Sequence, residues 1–255
     1  MDEHFGQGAR PVFILLTHGH FDHTGPVEAL AAEWKVPVYV HRLELPYVTG
    51  RSLYPPPGPT VGGGLMALLC KLYPRGPVDV SSHVRLLPED GSVPGFTDWR
   101  WFHTPGHTVG QVSFFRERDR VLIAGDAIAT TSQESFLAIA PHRPEFHGPP
   151  AYFTTDWDAA RDSVERLAAL RPQTVAPGHG RPLSGPDVAR ALTALARNFD
   201  RVARPDHGRY VHRPAAWGCP TISGRKSGPS CVARGPSSNA VSRLAASARR
   251  RETAA

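Results

Sequence analysis

One hexapeptide constrains this chain more than any other stretch of it. In His18-Gly19-His20-Phe21-Asp22-His23, three imidazoles and a carboxylate follow directly on the apolar run 11–16, PVFILL. That run is short, apolar at nearly every position and rich in β-formers, so it reads as a buried strand with the cluster at its carboxyl end. In extended chain, residues two apart project to the same side, which lets His18 and His20 address one ion. The turn that follows can carry Asp22 and His23 to a second position nearby.

Three later residues supply what the first cluster lacks, each in a turn at an expected strand end. His107 lies in TPGHT, Asp126 follows the apolar VLIAG, and His179 lies in PGHG. Taken singly, they read as turn histidines and an N-capping or turn aspartate. Taken with the first cluster, their order and spacing make a metal-ligand set.

The rest of the chain reads as a frame for that set. Residues 27–35 have the pattern of a helix and 36–40 that of a strand, which makes a β-loop-α-β unit with 11–16. Strands are expected at 99–103, 111–115, 120–124 and 174–176, an amphipathic helix at 156–170, and a further helix within 185–204. Strands in both hairpin and crossover settings predict an α/β protein, with a mixed sheet and helices outside it. The connection 41–80 carries Tyr54-Pro55-Pro56-Pro57-Gly58-Pro59 and Gly62-Gly63-Gly64, which argues against a regular strand, and a short apolar helix is expected at 65–73. So long a connection suits a lid or binding loop, with Tyr47, Tyr54 and Tyr73 as hypothetical substrate contacts.

The net charge of +6 is not a property of the body. Residues 1–204 hold 20 Lys/Arg against 21 Asp/Glu, while 205–255 hold 9 against 2. A near-neutral body makes nucleic acid an unlikely partner, and the aperiodic Ser, Arg, Ala, Gly and Pro of 212–255 predict a basic disordered tail after a domain at 1–211. No apolar run reaches membrane-spanning length and no export signal opens the chain, so the expectation is a cytoplasmic enzyme acting on a small molecule, with no membrane partner. The three cysteines, Cys70, Cys219 and Cys231, suggest no disulfide framework, and Cys70 reads as a small buried hydrophobe. Among the other histidines, His41, His83, His103, His142 and His147 read as surface or packing residues, with His103 of interest because its strand leads to His107.

With the ligand order in view, the chain resembles the metallo-β-lactamase superfamily, whose hallmark is His-x-His-x-Asp-His followed by His, Asp and His. The resemblance covers about residues 11–204. THGHFDHTG, TPGHTVGQ, AGDA and PGHG look most like the glyoxalase II-like hydrolase branch. It implies an αββα sandwich. It further implies that His18, His20 and His107 bind a first metal, that Asp22, His23 and His179 bind a second, and that Asp126 bridges both. The cofactor implied is two divalent ions, zinc first, with iron or manganese also accepted by this donor set. The activity implied is hydrolysis of a thioester, lactone or other small ester by a metal-bridging hydroxide, with Asp22 and Asp126 as the catalytic carboxylates. The competing readings are a persulfide dioxygenase-like enzyme with one iron, and a truncated inactive relative. Family members place several strands before the first motif, where this chain has ten residues before Pro11, so the sandwich is expected to lack its N-terminal strands. An uncovered sheet edge there would favour oligomers or poor solubility.

Overall fold

A computed structural model describes residues 6–61, 69–75, 79–131 and 145–216. Residues 65–68 of the helix expected at 65–73, His142, Cys219, Cys231 and most of the basic tail lie outside these residues. Within 69–75 the chain forms a 3-10 turn, Cys70–Leu72, with Cys70 fully buried.

The first sheet has three parallel strands in the order β1-β2-β3: β1 Ile14–Leu15, β2 Val38–Val40 and β3 Val84–Leu86. A single helical turn, α1 (Phe21–Thr24), follows β1, and the crossover to β2 runs through α2 (Val27–Trp34). Helix α2 ends where Lys35 turns into the left-handed region at φ 56°. Alternation along β2 sorts its side chains: Val38 and Val40 pack with Val27 and Ala31 of α2, while Tyr39 joins a cluster on the opposite face. The connection 41–80 contains the short helix α3, Leu45–Val48.

The second sheet has six strands in sequence order: β4 Ser92–Val93, β5 Phe96–His103, β6 Val112–Arg116, β7 Val121–Gly125, β8 Thr174–Pro177 and β9 Leu183–Ser184. All its pairings are antiparallel except β7 with β8, whose parallel register needs the crossover helix α4, Trp157–Ala169. Asp156 caps α4 by accepting from Ala159 N–H. Leu122 and Ala124 of β7 and Val175 of β8 face Val164 and Leu167 of α4, Leu192 of α5 (Val188–Arg197) and Phe199 of α6 (Phe199–Val202) in the largest core. On the other face, Trp101, Val112 and Phe114 meet Leu15 and Tyr39 of the first sheet. The layers therefore run helix, sheet, sheet, helix, the αββα sandwich. No helix among the described residues is long and apolar enough to cross a membrane.

The strand expected at 11–16 shortens to two residues, both half-buried, and among the described residues β1 is an edge with one neighbour. A β-carbon on Gly125 would lie 2.8 Å from Thr17 Cβ, so the chain leaving β1 packs closely on the end of β7. Ile123 of β7 is 38% exposed, and Val12, before β1, is 71% exposed. At the other end, Val211 is part of the main core and Ala215 N–H donates to the Thr155 carbonyl at 2.9 Å, so the packed body reaches past residue 211.

Candidate metal centre

Loops at one end of the two sheets bring all seven motif residues together. His18 and His20 follow β1, Asp22 and His23 ride on α1, His107 sits in the turn from β5 to β6, and Asp126 and His179 come directly after β7 and β8. His20 is extended (φ −62°, ψ 155°), so it projects with His18, and the helical turn after it swings Asp22 and His23 aside. The ring nitrogens converge. His20 Nδ1 lies 3.1 Å from His18 Nε2 and 2.9 Å from His107 Nε2. Asp126 Oδ2 stands 3.4 Å from His107 Nε2, 3.9 Å from His18 Nε2 and 3.1 Å from His179 Nε2, while its Oδ1 stands 3.3 Å from His23 Nε2. Asp22 Oδ2 completes the far side, 3.2 Å from His179 Nε2. Three groups of potential ligand atoms result: His18, His20 and His107; His18, His23 and Asp126; Asp22, His23 and His179.

The two halves differ electrically. His18, His20 and His107 are buried, and burial holds their imidazoles neutral; His18 and His20 fall well below the usual histidine range and His107 falls to about 4. At His23 and His179 burial opposes the charge, but the carboxylates of Asp126 and Asp22 win, so both shift upward, His179 to about 10. The same contacts hold both carboxyls below their usual range against the burial that opposes ionisation, Asp126 well below it.

Hydrogen bonds outside the ring aim the imidazoles. Thr154 Oγ1 donates to the Pro150 carbonyl, so its oxygen can accept Nδ1–H of His107 at 3.4 Å, which leaves Nε2 with its lone pair toward Asp126. Thr17 Oγ1 meets His18 Nδ1 at 3.2 Å in the same role. Beside His20 an aromatic wall is built from Phe153 (ring centroids 5.0 Å apart), Phe21 and Tyr73, with Tyr152 behind. Of the three tyrosines named from sequence, half-buried Tyr73 belongs to that wall, and Tyr54 sets its ring against His20 from the protein interior, with centroids 4.4 Å apart. Tyr47 and Tyr54 are buried and stacked on one another at 4.3 Å, and Tyr54 turns its hydroxyl inward to Glu44. Glu44 and Thr154 carry no local signal in the sequence, because their partners at the site are remote in the chain, and Thr17, next to His18, belongs to no ligand pattern of its own. His103 does not reach the centre; it stacks on His41 at 4.4 Å and its Nε2–H donates to the Val109 carbonyl at 2.9 Å.

Fold and donor set define a class. Residues 3–179 match the Metallo-beta-lactamase superfamily, and the chain belongs to it, as a metal-dependent hydrolase. Among its relatives, the probable metallo-hydrolase YflN of Bacillus subtilis (strain 168) is 48% identical over 200 residues, 78% of this chain and 76% of YflN. The probable metallo-hydrolase YybB of the same organism is 26% identical over 67% of this chain and 64% of its own. Among solved structures, TTHA1623 in a di-iron-bound form is 27% identical over 74% of this chain and 77% of its own, with a TM-score of 0.47.

Proposed function

We propose that this chain hydrolyses a small thioester, lactone or other ester with two divalent ions, one held by His18, His20 and His107, the other by Asp22, His23 and His179, with Asp126 bridging them. The observation that carries this reading is Asp126, whose carboxylate touches both sets of imidazoles at once.

The residues fit such a pair. His20 Nδ1 cannot satisfy both nitrogens beside it, since one proton would have to serve two acceptors, so lone pairs crowd around a common point. His23 Nε2 and Asp126 Oδ1 are buried without a well-aligned hydrogen-bond partner, which is costly unless another group meets them. Imidazoles and carboxylates without thiolates suit zinc first, and iron or manganese after it. When bound, a divalent pair supplies a water of lowered pKa and a Lewis acid for the carbonyl under attack. The chain's own residues do the rest. Asp126 would fix both ligand sets, and Asp22, at the more open edge and, against its burial, held below the usual carboxyl range by His179 and His23, would take the proton given up by the attacking water and pass it to the leaving group. The wall of Phe21, Tyr73 and Phe153 excludes water and receives an apolar part of the substrate.

THGHFDHTG, TPGHTVGQ, AGDA and PGHG favour the glyoxalase II-like branch, hence the ester or thioester, and the near-neutral charge of residues 1–204 supports a small molecule over nucleic acid in the cytoplasm. The aperiodic composition of 212–255 supports a basic tail apart from the domain, with the contacts of Ala215 retained by the body. The test is hydrolysis of thioester, lactone and ester panels by protein loaded with zinc, stripped by chelator and reloaded. Asp126→Ala should then cost more than the ~10–100-fold that follows loss of an outer hydrogen-bond partner; activity kept by the stripped protein or by the variant would refute the reading.

A further inference from the structure

We infer that Glu44 is a positioning residue that clamps the two loops carrying His18, His20 and His107, and so sets the affinity of the ion they hold; this rests on the two-ion reading above. Glu44 is 1% exposed and stands at the N-terminus of α3, yet its side chain caps nothing there. It reaches instead toward two loops far apart in the chain. Oε1 accepts from Gly110 N–H at 2.9 Å and from Thr108 Oγ1 at 2.6 Å. Oε2 accepts from Gly19 N–H at 3.1 Å and from the Tyr54 hydroxyl. Gly19 lies between His18 and His20, and Thr108 follows His107.

One carboxyl group therefore joins the backbones on both sides of the three imidazoles and touches neither Asp22, His23 nor His179. The packing is close enough to demand glycine in both loops, against Glu44 itself at Gly110 and against its partner Tyr54 at Gly19. A β-carbon on Gly110 would lie 2.8 Å from Glu44 Cγ, and one on Gly19 would lie 2.6 Å from the Tyr54 hydroxyl oxygen. Val112 N–H, donating to the Thr17 carbonyl at 2.9 Å, ties the bases of the same loops, and Glu44 ties them at the level of the ligands. A carboxylate can accept all four donors. A glutamine cannot: whichever way its amide is turned, its NH2 faces Gly110 N–H, which then loses its bond to residue 44, or Gly19 N–H, which is left with the Tyr54 hydroxyl oxygen at 3.0 Å alone.

The test is chelator competition on the zinc-loaded full chain and on Glu44→Gln, following the release of each ion. The expected result is that wild type holds two ions and that Glu44→Gln gives up one of them at a chelator concentration about 10-fold lower, with the other unchanged. Cobalt substitution reads the same difference, as a change in the spectrum of one site only. Tyr54→Phe keeps the ring stack, removes one of the four donors and should weaken the same ion by less, which keeps the test open if Glu44→Gln fails to fold. Variants that keep both ions as tightly as wild type, or loosen both equally, would overturn the clamp. A wild-type chain that binds fewer than two ions would refute the two-ion reading, and the clamp with it.

Discussion

Asp126 occupies the space in which residue 178 would carry a side chain: a β-carbon on Gly178 would overlap Asp126 Oδ1 and lie 3.0 Å from His23 Cε1. Gly178 N–H donates to the Gly125 carbonyl at 2.9 Å, which presses the turn before His179 against the turn that bears Asp126. Gly178→Ala must push the bridging carboxylate, the His179 loop or both. Hydrolysis should fall about 10–100-fold, as when a ligand's support is lost, with the far-ultraviolet circular dichroism unchanged. Wild-type kcat/KM in that variant would show that Asp126 does not need its present place.

His41 and His103 should make the fold sensitive to acid. His41 is buried, stacked on His103 and set edge-on to Trp101 at 5.5 Å; burial, His103 and Arg42 push it down to about 3. His103 is also lowered, by burial and by Arg166 and Arg42 against its bond to Val109. In the unfolded chain each would titrate at about 6.5. Below about pH 6.5 the unfolded chain binds the extra protons, so the stabilisation is complete above about pH 6.5 and is lost as pH falls, for His41 down to about 3 at up to about 1.4 kcal/mol per pH unit, with His103 acting in the same direction. His41→Asn keeps an acceptor for Leu43 N–H and removes one titrating ring. Denaturant melts across pH 3–7 should show a shallower decline in the variant; identical slopes would contradict the assignment.

The edge of the first sheet should mediate self-association. Among the described residues strand β1 has one neighbour, and Val12 before it and Ile123 of β7 stay exposed. Burying a valine is worth about 1.5–3 kcal/mol, so Val12→Lys should raise a dimer dissociation constant about tenfold or more. Sedimentation equilibrium on both proteins reads this directly. A wild-type chain that is monomeric at the highest concentrations reached would rule the edge out as an interface.

Legibility in the sequence followed distance along the chain. His18, His20, Asp22 and His23 could be read because one short segment holds them, and His107, Asp126 and His179 because each closes an apolar run or a Pro-Gly turn. Glu44 could not be read. Its partners in the ligand loops lie 25, 64 and 66 residues away, and the proline-rich connection that it shares with Tyr54 suggests a lid rather than a brace. The strands show the same divide. The runs behind β6 and β7 are apolar enough to announce themselves, whereas β3, β4 and β9 have two or three residues and exist through pairing with a neighbour already in place. Strand β5 starts at Phe96, earlier than its composition suggested, and Phe96 packs edge-on to Phe13 at 5.4 Å, a contact between the two sheets that no local pattern encodes.

The central claim is a pair of ions bridged by Asp126, and metal content per chain tests it most directly. Protein purified without added metal, then equilibrated with excess zinc and freed of unbound ion, should carry two zinc ions per chain, and Asp126→Ala should carry fewer than two. A wild-type stoichiometry that stays at one under zinc excess would contradict the account.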